Sequence, residues 1–103
     1  MDEAFKTDLD AIMVEWEVGM IAIESLPEDI GSRDRAVIIA EKMLKPLAKF
    51  PEVKAWMLAH EPHDALAGLF VFSGDSEKTA REDDLVVSVQ EHRITWSDIG
   101  VMQ

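Results

Sequence analysis

Apolar residues in the first 60 positions recur at the spacing of an α-helix. Between residues 3 and 25 this recurrence takes in Phe5, Leu9, Ile12, Met13, Trp16, Met20 and Ile23. Steps of three and four place such residues on one helical face. The same pattern predicts a second helix over 33–49 and a short third helix over 51–59. Because the first connector is short, we expect the first two helices to form an antiparallel hairpin.

The last 40 residues carry features typical of β-strands. The run 65–73 is continuously apolar, contains Phe70, Val71 and Phe72, and ends in turn residues. Alternation of apolar and polar residues predicts a second strand over 85–90, and a third is predicted over 93–97. These segments predict a three-stranded antiparallel sheet.

Helices first and strands afterwards favour an α+β fold. We therefore predict one domain over 1–103, with a helical layer over about 3–60 packed on a sheet layer over about 65–98. A chain of 103 residues fits one domain.

The first helix has a second, weaker apolar stripe, which consists of Val14, Val18 and Ile21 together with Ala11 and Ala22. A helix at a protein surface needs only one buried face, so this stripe needs an explanation. It either packs against a second layer of the same chain or forms an interface, with a homodimer or with another protein.

Acidic and basic residues recur along the first two helices with the same period. Asp10, Glu17 and Glu24 are seven apart on the first helix. The basic column on the second helix consists of Arg35, Lys42 and Lys49. In an antiparallel hairpin we expect the two columns to face each other, so that Asp10 meets Lys49. Exposed pairs of this kind contribute only about 0.2–1 kcal/mol each.

The net charge of −11 narrows the set of partners. Such a surface repels nucleic acids and anionic membranes, and it suits a basic protein partner or simply keeps the chain soluble. The absence of cysteine fits a reducing compartment. No apolar run has the length of a membrane span, and the N-terminal residues do not resemble a signal peptide. We expect a cytoplasmic protein, without direct binding to nucleic acid or membranes.

Candidate catalytic and metal-binding residues are few. His60 and His63 are three apart, and His92 is the only other histidine. Zinc needs three or four ligands, and Pro62 interrupts the helical spacing of the first pair, so we predict no metal site. The serines lie in no nucleophile motif, and the glycines form no phosphate-binding loop. We predict no cofactor.

The polar segment 74–84 is long for a hairpin connection, and long loops are often functional. Its acidic side chains are candidates for contacting a partner: Asp75, Glu77, Glu82, Asp83 and Asp84. The simpler alternative is a solvated connector.

Three functions remain open. The first hypothesis is a non-catalytic protein that binds another protein, as an adaptor, chaperone, immunity protein or phage-type factor of bacterial or phage origin. The second is an acidic mimic of nucleic acid that inhibits a nuclease or a DNA-binding protein. The third is a small enzyme that uses carboxylates with His60 or His63.

Overall fold

The computed structural model describes residues 9–73 and 79–102, and all regular structure in these residues is helical. In chain order the α-helices are α1 (Leu9–Glu24), α2 (Ser32–Leu44), α3 (Pro51–Leu58), α4 (Pro62–Ser73) and α5 (Thr79–Glu91). Short 3-10 helices cover Lys45–Lys49 and Ser97–Ile99. The predicted α+β fold is therefore wrong: the described residues contain no strand and no sheet.

The run 65–73, predicted as a strand, forms most of α4. Pro62 begins this helix, where its missing N–H costs nothing. The residues buried behind it are Ala65, Leu66, Leu69 and Phe70, a helical spacing. Trp16 of α1 packs against Phe70 edge-on, with ring centroids 4.9 Å apart. Burial in the core therefore outweighs the β-propensity of the aromatic residues.

The second predicted strand, 85–90, belongs to α5. Leu85 and Val89 are buried four residues apart, whereas Val87 between them is 43% exposed. A strand would have placed all three on one face. The alternation of apolar and polar residues over 85–90 is therefore coincidental. The segment is a helix that buries Leu85 and Val89 and leaves Val87 partly exposed.

The third predicted strand, 93–97, is a helix terminus followed by a turn. Arg93 takes a left-handed conformation with φ of 50°. Its N–H donates to the carbonyl of Gln90 (3.1 Å), and the N–H of Ile94 donates to the carbonyl of Val89 (3.3 Å). This pair of bonds is a Schellman motif that ends α5. Gly100, with φ of 74°, ends the last 3-10 helix with the same bonding pattern.

We predict that Arg93→Gly stabilises the fold by about 0.5–1 kcal/mol, because glycine adopts left-handed geometry without a steric penalty. Gly100→Ala should destabilise it by about 1 kcal/mol for the opposite reason. Urea unfolding measures both. Arg93→Ala is the control, since it removes the same charge and keeps the penalty; equal stabilisation by alanine would contradict this explanation.

The C-terminal residues contact α2 through Arg33 and the residue His60 beyond α3 through Trp96. The Thr95 N–H donates to the Asp98 carboxylate (2.8 Å), and the Asp98 N–H donates to the Thr95 hydroxyl (3.2 Å). These bonds, with Arg33 3.9 Å away, hold the pKa of Asp98 below its ordinary value. The Trp96 indole N–H donates to the carbonyl of His60 just beyond α3 (2.9 Å).

Helix α2 lies at the centre of the molecule. It packs against α1, α4, α5 and the C-terminal 3-10 helix. Its buried side includes Ala36 and Ala40, whose small size lets neighbouring helices approach closely. The predicted second helix ends early, at Leu44, because Pro46 cannot continue it and the chain tightens into the first 3-10 helix.

Helices α1 and α2 are antiparallel neighbours, as the hairpin prediction requires. Glu15 of α1 binds Lys49 beyond α2, while Gly19 lies against the backbone of Lys42. As the residue numbers rise along α1 from 15 to 19, those of the contacted residues fall from 49 to 42, so the two segments run antiparallel. The predicted charge pairing is different in detail, since Lys49 pairs with Glu15 and Arg35 pairs with Asp84 of α5.

Gly19 permits the closest contact between α1 and α2. A Cβ at this position would lie 2.6 Å from the carbonyl oxygen of Lys42 and 3.0 Å from the sulfur of Met43. The first distance is to backbone, so the helices themselves would have to separate. The helical glycine, unfavourable by about 1 kcal/mol relative to alanine in isolation, is here required by packing.

We predict that Gly19→Ala lowers the free energy of unfolding by about 1–2 kcal/mol, since overpacking outweighs the gain in helix propensity. Urea titration followed by tryptophan fluorescence measures the change. Gly31→Ala is the control, because the nearest atom to its added Cβ would be 3.6 Å away. Stabilisation by Gly19→Ala would show that the helices are not in close contact there.

Candidate binding surface

The outward face of α1 is apolar. We call Ala11, Val14, Val18 and Ile21 the outer stripe. The three larger side chains are 61%, 58% and 63% exposed. On a helix of 3.6 residues per turn these three fall within about 60° of one another. Such a continuous exposed patch is typical of an interaction surface.

The outer stripe is exposed because α1 has neighbours on one side only. It packs mainly against α2 and the 3-10 helix that follows α2, and Trp16 on the same side also contacts Phe70 of α4. The residues buried against them are Ile12, Trp16, Gly19, Met20 and Ile23. The stripe lies on the opposite side of the helix, and none of the described residues forms a second layer over it. Within this part of the chain, the stripe is therefore not packed against a second layer of the same protein.

Acidic residues border the outer stripe along one side. The stripe residues are separated by three, four and three positions, which is the a and d spacing of a heptad repeat. Ala11 and Val18 then occupy a positions, and Val14 and Ile21 occupy d positions. The g positions hold Asp10, Glu17 and Glu24, which are all exposed. The other flank carries Ala22 and Glu15, and Glu15 is bound to Lys49 at 2.5 Å. The surface therefore has one strongly acidic edge.

A shallow depression lies along the acidic edge. It is lined by Glu17, Met20, Ile21 and Glu24 and has a volume of about 180 Å³. Two carboxylates thus flank apolar side chains over about two helical turns. This combination suits a long basic side chain, whose methylene stem packs on apolar surface while its charge stays at the edge.

A second concavity, of about 420 Å³, lies between the start of α2 and the length of α5. Its lining comprises Ser32, Arg35, Asp83, Asp84, Val87, Ser88, Glu91 and His92. Across it, Arg35 donates to the Asp84 carboxylate at 2.7 Å. The positive charge of Arg35 in this groove is thus already paired with a carboxylate of the same groove.

The groove shows no activated nucleophile. Catalysis by serine needs a base within hydrogen-bond reach. Among the described side chains, the hydroxyls of Ser32 and Ser88 and the ring of His92 make no hydrogen bond with one another. The arrangement therefore gives the enzyme hypothesis no specific support.

His60 and His63 do not converge on a common site. The Nδ1 atom of His60 lies 2.9 Å from the carbonyl oxygen of Trp56, and the two ring centroids are 5.0 Å apart with their planes tilted by 42°. His63 lies 3.4 Å from its neighbour Asp64. In the described part of the chain no three histidine, aspartate or glutamate side chains are grouped to hold a metal ion.

The acidic segment 74–84, predicted as a loop, is only partly described. Residues 79–84 are helical and belong to α5, so the loop prediction is wrong for them. Glu82 lies in this helix, and Asp83 and Asp84 are exposed on it. Asp75 and Glu77 lie outside the described residues. Asp84 contacts Arg35 of the same chain, so it is already engaged.

Sequence reasoning assigned Asp10, Glu17 and Glu24 to the hairpin and missed their place beside the outer stripe. The seven-residue spacing they share with Val14 and Ile21 was the available signal. The α2–α5 groove was missed because it depends on contacts about 50 residues apart, as between Arg35 and Asp84.

No protein-family model, curated protein or solved structure matches this chain. None of the helices in residues 9–73 and 79–102 combines the length and the apolar character needed to cross a membrane.

We predict that Val18→Glu leaves the free energy of unfolding within about 0.5 kcal/mol of wild type, because the side chain is exposed. Met20→Glu, two residues away and only 4% exposed, should unfold the protein by burying an unpaired charge. Circular dichroism during thermal unfolding compares the two. Loss of structure in Val18→Glu would mean that the outer stripe is covered.

Proposed function

We propose that this protein is a non-catalytic binding domain that docks another protein on the outer stripe of α1. The observation that carries the proposal is the exposure of Val14, Val18 and Ile21 on one helical face. Burying such side chains provides most of the free energy of association between proteins. Apolar residues at heptad spacing fit a helix of the partner, as in other helix-in-groove interactions.

The other two hypotheses have less support. A mimic of nucleic acid requires an array of carboxylates that stands in for phosphates. On α1 the acids instead border an apolar stripe, a pattern better suited to a protein helix. For an enzyme, the described histidines and serines lack the mutual hydrogen bonds that activate a nucleophile or a base.

Site-specific photo-crosslinking in the native cells tests the proposal. A benzophenone amino acid replaces Val18, and crosslinked products are identified by mass spectrometry. We expect one or a few defined adducts with another protein, because the residue would lie at the centre of the interface.

Val71 is the matched control position. It is also an exposed valine, 76% accessible, but it lies on α4. Adducts specific to position 18 support docking on α1. The same adducts from both positions, or none from position 18, would contradict it.

A further inference from the structure

The charge beside the outer stripe identifies the kind of partner. We propose that the occupant is an amphipathic helix of another protein, with lysine or arginine along the flank that meets Asp10, Glu17 and Glu24. This inference rests on the proposed docking function of α1. In paired helices, residues beside the apolar seam select the partner through their charges.

A second copy of the chain fits the stripe poorly. In an antiparallel pair related by a two-fold axis, the acidic edge of one copy would lie beside the acidic edge of the other. In a parallel pair, the acidic edge would face the flank that carries Glu15 and Ala22. Neither arrangement offers it a row of basic residues, and each copy carries a net charge of −11. The acidic edge therefore attracts a basic partner and repels a second copy of the chain.

The depression at the acidic edge adds a specific contact. Met20 and Ile21 form its apolar part, and Glu17 and Glu24 stand at its two ends. A lysine or arginine of the partner can lay its methylene groups on Ile21 and direct its charge to Glu17. Such a contact requires both the apolar surface and the carboxylate, so it distinguishes docking in register from diffuse attraction to an acidic protein.

The length of the stripe sets the length of the partner helix. From Ala11 to Ile21 the stripe rises about 15 Å along α1. A helix of three heptads covers it completely with a turn to spare at each end. Two heptads are too few for a free-standing coiled coil, so binding depends on the preformed α1 rather than on two chains folding together.

Binding of synthetic peptides tests the inference. The probe is a labelled 21-residue peptide with leucine at a and d, lysine at e and g, and alanine or glutamine elsewhere; its lysines prevent self-association. A second peptide has glutamate in place of lysine, and a third has the lysine composition in scrambled order. Fluorescence anisotropy at 150 mM salt measures the affinities, and light scattering on the free protein measures its mass.

We expect a monomeric protein that binds the lysine peptide at least tenfold more tightly than the other two. Glu17→Gln combined with Glu24→Gln should weaken binding at least tenfold. The control, Glu28→Gln with Asp29→Asn, removes the same charge from the exposed connector and should change it less than twofold. Val18→Glu should also weaken binding at least tenfold, although it makes the protein more acidic.

The contrary outcomes separate the two proposals. Equal binding of the lysine and glutamate peptides, both lost in Val18→Glu, overturns the basic partner and retains docking on α1. Undiminished binding of the lysine peptide by Val18→Glu overturns docking itself. No binding of the lysine peptide, or equal binding of its scrambled form, overturns the basic helix. A wild-type dimer that Val18→Glu converts to monomer assigns the stripe to a second copy.

Discussion

The close approach of α1 to α2 at Gly19 determines what the rest of α1 can do. A Cβ at Gly19 would lie only 2.6 Å from a backbone carbonyl oxygen of α2, so the glycine side of α1 is the side that faces the core. Trp16 and Met20 lie on the same side of α1 as Gly19 and are therefore buried. The opposite side is then fixed toward solvent. The orientation of the outer stripe is thus a consequence of helix packing and not an independent feature.

The N-terminal half of the fold could be predicted because its local signals agree. Apolar spacing, proline positions and short connectors all indicate helices there, and the described residues contain them, although α2 ends at Leu44 and not at the expected residue 49. The C-terminal half could not be predicted, because its local signals conflict. Phe70 and Val71 favour a strand by propensity, while the four-residue spacing from Leu66 to Phe70 fits a helix. Only packing around α2 decides between the two, and packing is non-local.

The proposed binding surface was partly visible in the sequence. Val14, Val18 and Ile21 were identifiable as a second apolar stripe, but whether such a stripe is exposed depends on how many neighbours the helix has. The role of Glu17 was obscured because a basic column of equal period lies on α2. Lys49 in fact reaches Glu15, which lies on the far flank. Glu15 lies five residues beyond Asp10, the expected partner of Lys49, and on the opposite flank of the stripe, so the acidic row remains beside the stripe; periodicity alone could not reveal this difference.

Helix α1 keeps its folding residues and its solvent-facing residues on separate sides. Ile12, Trp16 and Ile23 contribute to the core, whereas the outer stripe contributes little to it. Selection on the two sides can therefore proceed independently. A lineage can exchange the outward residues, and with them the chemistry that this face presents to solvent, without first acquiring compensating changes in the core. On this scaffold, divergence of the outward face needs only a few substitutions on one helix, and the threshold set by folding stability does not oppose it.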